Sequence, residues 1–441
     1  MDSIRLSKLD LSGNDIHTIQ NLDALHGIET IDLRKNQMQE FTVRRPLRRL
    51  DILKLSGNRL GQLDLSVFPS LRVLYVDCNH LSTIEKLEDC RFLDTLSMRE
   101  QSIPSNDPSG SPGYAEPIPV NLNLGKVSSI RKLFLSSNFL SADTLRPDTP
   151  ILSLQLLDLA SCTLEALPEQ FGETFSNLKT LNLNFNALPD INGLRGIKRL
   201  NRLTLVGNRI ARLRRMCKVL AEIGGAHGSL TRVDLRGNPI TVGFYPPPVS
   251  GSGKPQQRHT GNNATQRDLI KHKADDDDVL DRSLPYIGGG KDIARHLSYH
   301  SNNYIDYPPL DAHEEQNEAE NNEKEVDDPY TVPFADPFAD AKYQAHLDEP
   351  TRLRRRVIEL MIQNATSGRL TYLDGLPQCS SPDDNEINDD DGGGHVGPGD
   401  AHVHAHEGAV RVKKDWVWNR LEQLGVLRKK EKAREKGNGK V

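Results

Sequence analysis

The chain has 441 residues, 36% of them hydrophobic, 27% charged and only 5% aromatic. With 56 Lys+Arg against 61 Asp+Glu, the formal net charge of −5 offers no basic surplus for a nucleic-acid partner. The modest apolar share implies that a substantial part of the chain stays outside any packed core. The five cysteines, at positions 78, 90, 162, 217 and 379, have no metal-ligand spacing. An odd, scattered set with no leader peptide reads as reduced thiols of an intracellular protein. No apolar run approaches ~18 residues, so no membrane span is expected.

A repeat is visible from the first residues. Leu178, Leu181, Leu183 and Asn186 are followed 22 residues later by Leu200, Leu203, Leu205 and Asn208. Both sets read L-x-x-L-x-L-x-x-N, the signature of leucine-rich repeats. The central x-L-x-L is a short strand with inward leucines. The Asn turns the chain, and its buried amide must find backbone partners. The positions Asn14, Asn36, Asn58, Asn79, Gln101, Asn138, Cys162, Asn186, Asn208 and Asn238 count about ten repeats. One repeat cannot bury its leucines, whereas a stack can. The fold class expected is therefore an α/β leucine-rich-repeat solenoid: a curved parallel sheet with outer 3-10 and α turns, disordered insertions and a C-terminal helical tail. The first repeat opens at Leu6 without a preceding cap, as expected of the C-terminal part of a longer protein.

The count is interrupted in three places. Between Gln101 and Asn138 lies a Ser/Pro/Gly-rich insertion, 102–127, expected to be a loop. Spacings of 24 residues after Asn138 and Cys162 leave room for a fuller outer turn. Between Asn208 and Asn238, the spacing of Ile210, Leu213, Cys217, Leu220 and Ile223 predicts a true helix. Gly224–Gly225 stops it, and Arg209, Arg212, Arg214, Arg215 and Lys218 face water. The solenoid is thus assigned to 1–248 and a polar, disordered insertion to 249–335. Residues 336–377 read as a C-terminal repeat cap, in which a helix over EPTRLRRRVIELMIQ places Leu353, Val357, Leu360 and Met361 on one face. Leu370 and Leu373 in RLTYLDGLP then echo a repeat strand. A linker, 378–408, and an amphipathic basic helix, 409–441, follow.

Positions three, five and seven of each repeat alternate away from the leucines onto the concave sheet. There the middle repeats carry Ile52, Val73, Tyr75, Phe134 and Leu156, a cluster of apolar groups that suits a protein partner. The competing reading has the 102–127 loop folding over them. Late repeats set Arg202, Arg232 and Arg236 beside Asn182 and Asn184, which suits an acidic or phosphorylated peptide, against a plain solvated face. No aromatics interleave with these arginines as a single-stranded nucleic acid would need.

No cofactor, metal or catalytic residue is expected. His402, His404 and His406 alternate in a Gly-rich tract without a second ligand cluster, and Asp275 to Asp278 lack the spacing of a calcium loop. Asn263 and Asn364 head N-x-T triplets without consequence in an intracellular chain. Cys217 lies on the apolar face of its helix and reads as core rather than nucleophile.

Four segments together are narrower than the repeat itself: LDLASCTLEALPEQFGETFSNLKTLNLNFNAL, RRMCKVLAEIGG, TRVDLRGNPITVGFYPP and RLTYLDGLP. They resemble the leucine-rich-repeat region of the fungal scaffolds of the septation initiation network, called the mitotic exit network in budding yeast; animal centriolin is more distantly similar. The resemblance covers about 1–248 and 336–377, with a weaker match at WVWNRLEQLGVLRKK. It implies a non-catalytic scaffold at the spindle pole body, a microtubule-organising centre, either cytoplasmic or associated with the nuclear envelope. It further implies that the repeats dock on another pole-body scaffold and gather septation and mitotic-exit signalling proteins. Kinase docking through a long N-terminal region is not supported by these residues. The alternative is a regulatory subunit of a protein phosphatase, which the dispersal of the concave acids Asp10, Asp32, Asp158 and Asp234 disfavours.

Overall fold

The computed structural model describes residues 6–103, 118–127, 129–224, 228–246 and 330–378. The expectations for 249–329 and 379–441, including the His402–His406 tract and the basic C-terminal helix, lie outside these residues. Ten three-residue strands recur at the predicted places. They are β1 (Lys8–Asp10), β2 (Thr30–Asp32), β3 (Ile52–Lys54), β4 (Val73–Tyr75), β5 (Thr95–Ser97), β6 (Lys132–Phe134), β7 (Leu156–Asp158), β8 (Thr180–Asn182), β9 (Arg202–Thr204) and β10 (Arg232–Asp234). They pair in sequence order, all parallel and in register, so that each repeat's central leucine, isoleucine or, in β10, Val233 stands beside the next. Two short strands, β11 (Tyr372–Leu373) and β12 (Leu376–Pro377), close the sheet; β11 is parallel to β10 and β12 antiparallel to β11.

The leucines do what the period requires. Leu53, Leu74, Leu96, Leu157, Leu181 and Leu203 have no accessible surface. Burying one such side chain contributes roughly 1.5–3 kcal/mol, and none could be buried without the neighbouring turn.

The asparagine column is a continuous hydrogen-bond ladder. Asn58 donates to Leu55 O in its own repeat (2.9 Å) and to Leu33 O in the preceding one (3.0 Å), while its Oδ1 accepts from Met38 N (3.0 Å). Asn238 repeats the arrangement with Leu235 O, Leu205 O and Ile210 N. Gln101 is long enough to do the same, donating to Val76 O and accepting from Leu81 N. Cys162 donates its thiol to Leu135 O at 3.2 Å but offers no oxygen in return. Before every ladder residue the backbone is left-handed: Gly13, Lys35, Gly57, Cys78, Glu100, Ser137, Ser161, Phe185, Gly207 and Gly237 all have φ between 51° and 71°. The turn is therefore imposed by the stack even where no glycine eases it.

The outer connections vary with the space available. Short 3-10 turns stand at Leu22–Ala24, Leu87–Asp89, Leu124–Lys126, Ala142–Leu145 and Asn192–Leu194. The longer spacing after Cys162 forms a one-turn helix, α1 (Phe171–Thr174). The predicted long helix is α2 (Leu213–Gly224), with Leu213, Met216, Val219, Leu220 and Ile223 buried and the arginines exposed. Cys217 is half-buried beside that core.

The described part of the 102–127 insertion belongs to this outer wall. Val120 bridges in parallel to Leu140, and Val120, Leu122, Leu124 and Val127 are buried. The reading in which this loop covers the concave face is not met by the described residues. Their backbone groups instead pair with the neighbouring outer turns, through Asn121 N to Ser82 O and Leu122 N to Thr144 Oγ1.

The chain divides into two units. Among described residues the first holds 6–240, 330–336 and 361–378. At its C-terminal edge, Tyr372 and Asp374 donate backbone N–H groups to Thr231 O and Val233 O, so RLTYLDG continues the repeat backbone as expected. Asp374 follows β11 at the register position of Asp234 and accepts from Leu235 N at 2.6 Å.

The second unit holds 241–246 and 337–360, with α3 (Pro337–Ala345) and the first part of α4 (Glu349–Ala365). Helix α3 has no counterpart in the sequence reading. On α4, Leu353 and Val357 are buried as expected. Leu360 and Met361 are only half-buried, because the inward face turns through Arg355 and Ile362. Arg355 is the unit's polar centre, donating to both oxygens of Asp340 (2.9 and 2.6 Å), to Glu359 (2.9 Å) and to Phe244 O (2.9 Å), with Tyr245 against its face.

Candidate protein-binding face

The concave sheet presents the third, fifth and seventh positions of each repeat, and much of its charge is committed locally. Fifth-position carboxylates and amides accept the seventh-position N–H: Asp10 from Ser12, Asp32 from Arg34, Asp158 from Ala160, Asn182 from Asn184 and Asp234 from Arg236. The dispersed acids are turn-closing groups, which explains their spacing in the sequence.

Of the apolar cluster, Val73 is buried, and Ile52, Tyr75, Phe134 and Leu156 are half-buried on the sheet. Beside them stands a charged centre that the site reading omitted. The Arg99 guanidinium donates to Asp158 at 2.8 Å and lies 4.7 Å from the Phe134 ring centroid. Asp77 accepts from Arg99 N (2.8 Å) and from the Ser97 and Ser56 hydroxyls (2.5 and 3.2 Å). Burial pushes the Asp77 carboxyl above its ordinary range, against the pull of Arg99 and these hydrogen bonds.

The later repeats hold a segment of the same chain. From Tyr330 to Asp336 the backbone runs without helix or strand, attached to the concave residues. Asn182 and Asn184 both donate to Tyr330 O, at 3.0 and 3.1 Å. The Tyr330 ring sits 5.4 Å from the Arg99 guanidinium, opening a second aromatic contact for it besides Phe134, and the Tyr330 hydroxyl donates to Glu100. Farther along, Arg236 donates to Pro333 O at 2.8 Å, and Ala335 N donates to Gly375 O. Phe334 packs 5.0 Å from Tyr372, with Arg232 near both rings.

The sequence reading chose Asn182, Asn184, Arg232 and Arg236 for an acidic peptide. The structure brings all four to one strip, but there they hold backbone carbonyls and an aromatic ring. Arg236 is also neutralised by a two-pronged pair with Asp234 at 3.0 and 2.6 Å. Arg202 lies half-buried on β9 in the same strip. Tyr330 and Phe334 were missed. Their signal was the aromatic and proline island YTVPFADPF at the end of a long polar tract.

The chain is similar to several known proteins. The Leucine rich repeat family profile matches residues 153–210. The septation initiation network scaffold protein cdc11 of Schizosaccharomyces pombe is 31% identical over 242 residues, 55% of this chain and 21% of cdc11. The similarity to that scaffold is of a part of each chain. The chain spans about a fifth of the length of cdc11. Mouse lumican is 29% identical over 188 residues, 42% of this chain and 53% of lumican. Solved structures that overlay on it include the LRIM1 leucine-rich repeat domain (TM-score 0.38, 21% identity, 53% of this chain and 67% of that one). Another is a leucine-rich-repeat protein of Leptospira interrogans (TM-score 0.37, 21% identity, 53% and 61%). No helix among the described residues is long and apolar enough to cross a membrane, and none of their His, Cys, Asp and Glu residues group as a metal site would.

Proposed function

We propose that this chain is a non-catalytic scaffold module whose concave repeat face docks a partner protein at the spindle pole body, in septation initiation and mitotic-exit signalling. One observation carries the reading: the similarity to cdc11 runs through 55% of the chain, the extent of a repeat stack rather than of one motif. The concave face supplies the chemistry. Tyr75, Phe134 and Leu156 offer partly accessible apolar area on a rigid sheet, the kind of surface at which a few aromatic anchors dominate binding. The Asn182–Arg236 strip adds amide and guanidinium donors of the kind that hold a peptide's backbone carbonyls.

Two experiments test it. A fluorescent fusion is expected to mark spindle poles as one or two dots; diffuse nuclear signal favours the phosphatase-regulator alternative. Recovery of co-purifying scaffold and signalling proteins should fall on Tyr75→Ala/Phe134→Ala. Unchanged recovery by a folded variant removes that patch as the docking surface.

A further inference from the structure

Resting on the reading of the concave face as a docking surface, we infer that its ligand is an extended, proline-containing peptide with aromatic residues four apart, and that Tyr330–Asp336 occupies the site in cis as a stand-in for it. The segment is held as a peptide ligand is held. Two amides, Asn182 and Asn184, converge on one carbonyl, and Arg236 takes a second carbonyl three residues on. These contacts read backbone and therefore accept many sequences. Selectivity comes from the rings. Tyr330 is 4% exposed between Arg99 and the asparagines, while Phe334 sits against Tyr372 and Arg232. Proline at 333 favours the extended backbone.

The attachment is also incomplete, which suits exchange. Phe334 remains 41% exposed, and Asn182 and Arg236 are half-buried rather than sealed. Gly375 marks how closely the segment approaches: a Cβ there would stand 2.7 Å from Ala335 N and 3.0 Å from the Arg236 guanidinium carbon. A partner segment of the same pattern must displace Tyr330–Asp336, so the apparent affinity of the groove is reduced by the fraction of time it is filled.

The test uses the full chain and a fluorescent peptide of residues 328–337, followed by anisotropy. The peptide should bind a Tyr330→Ala/Phe334→Ala chain and bind the wild type at least roughly tenfold more weakly, the mark of a groove already filled most of the time. A peptide with both aromatics replaced by serine should bind neither. Absence of binding to the double variant, equal affinity for both chains, or equal binding of the serine peptide overturns the inference. Melting curves and circular dichroism establish that the variant is folded. If it is not, the single variant Phe334→Ala, at the ring that is 41% exposed, serves as the host and must show a gain in the same direction. The peptide arm needs no partner protein. If it fails while partner recovery still depends on Tyr75 and Phe134, the scaffold reading stands without this inference; if the peptide binds but no partner is recovered, the scaffold reading falls by itself.

Discussion

Arg99 reaches past a whole repeat to bind Asp158: its guanidinium leaves β5, crosses the Phe134 ring on β6 and donates at 2.8 Å to the carboxylate at the end of β7. The two side chains are 7% and 4% exposed, so removing one strands the other in a poorly solvated place. Arg99→Ala should cost about 3–5 kcal/mol in urea unfolding. Arg99→Met/Asp158→Leu should recover part of that, because no charge of the pair is left stranded, although Asp77 loses its neighbouring guanidinium and the Ala160 N–H loses its acceptor. A double variant as unstable as the single one would show that the loss is not electrostatic.

The ladder asparagines should differ in worth by position. Asn186 serves Leu159 O, Leu183 O, Cys162 N and Leu164 N, all inside the stack. Asn186→Ala leaves several of these unpaired and should cost about 3 kcal/mol or more. Asn14 is exposed and, among the described residues, its amide donates to Leu11 O and Ser12 O of its own repeat. Asn14→Ala should cost no more than about 1 kcal/mol. Thermal melts of the two variants side by side decide this; equal losses would contradict the assigned role of the inter-repeat bonds.

Thiol chemistry should be slow at the four cysteines among the described residues. Burial pushes Cys90 and Cys162 up to about 12 and Cys217 up to about 11, and Cys78 is raised further by burial together with Glu100 and Asp77. At pH 8 little thiolate forms at any of them. Alkylation mapped by mass spectrometry should label these four sites only after denaturant is added. Rapid native labelling of Cys162 would mean that the stack opens there.

Asp77 gives stability a pH signature. Its folded-state pKa lies above the ordinary 3.8, so the folded protein binds the proton more tightly than the unfolded chain. Its contribution is present at low pH and is lost as pH rises from about 3.8 through the folded value. Asp77→Asn removes that loss. The stability of the variant relative to wild type should therefore improve with rising pH across that window, measured by urea midpoints at several pH values; a flat difference would show that Asp77 is not raised.

What could be read in the sequence is what repeats locally. The strand positions, ladder residues, outward arginines of α2 and strand-like return at Leu370–Leu373 all follow from a period near 22 residues, because each turn contacts only its neighbours and the same residue types solve the same burial problem each time. Gln101 and Cys162 were identified in the ladder for the same reason. The occupancy of the concave face was not readable in this way. Tyr330 meets Asn184 and Glu100 from 146 and 230 residues away, with no period linking them. Nor could the spacing tell that Arg236 would be claimed by Asp234 and a carbonyl of Pro333. Repetition specified the stack, since burial of the leucines is a nearest-neighbour matter. Only the folded chain decided what lies on its inner face, since that depends on which distant segment has carbonyls and rings placed to meet donors already fixed by the sheet.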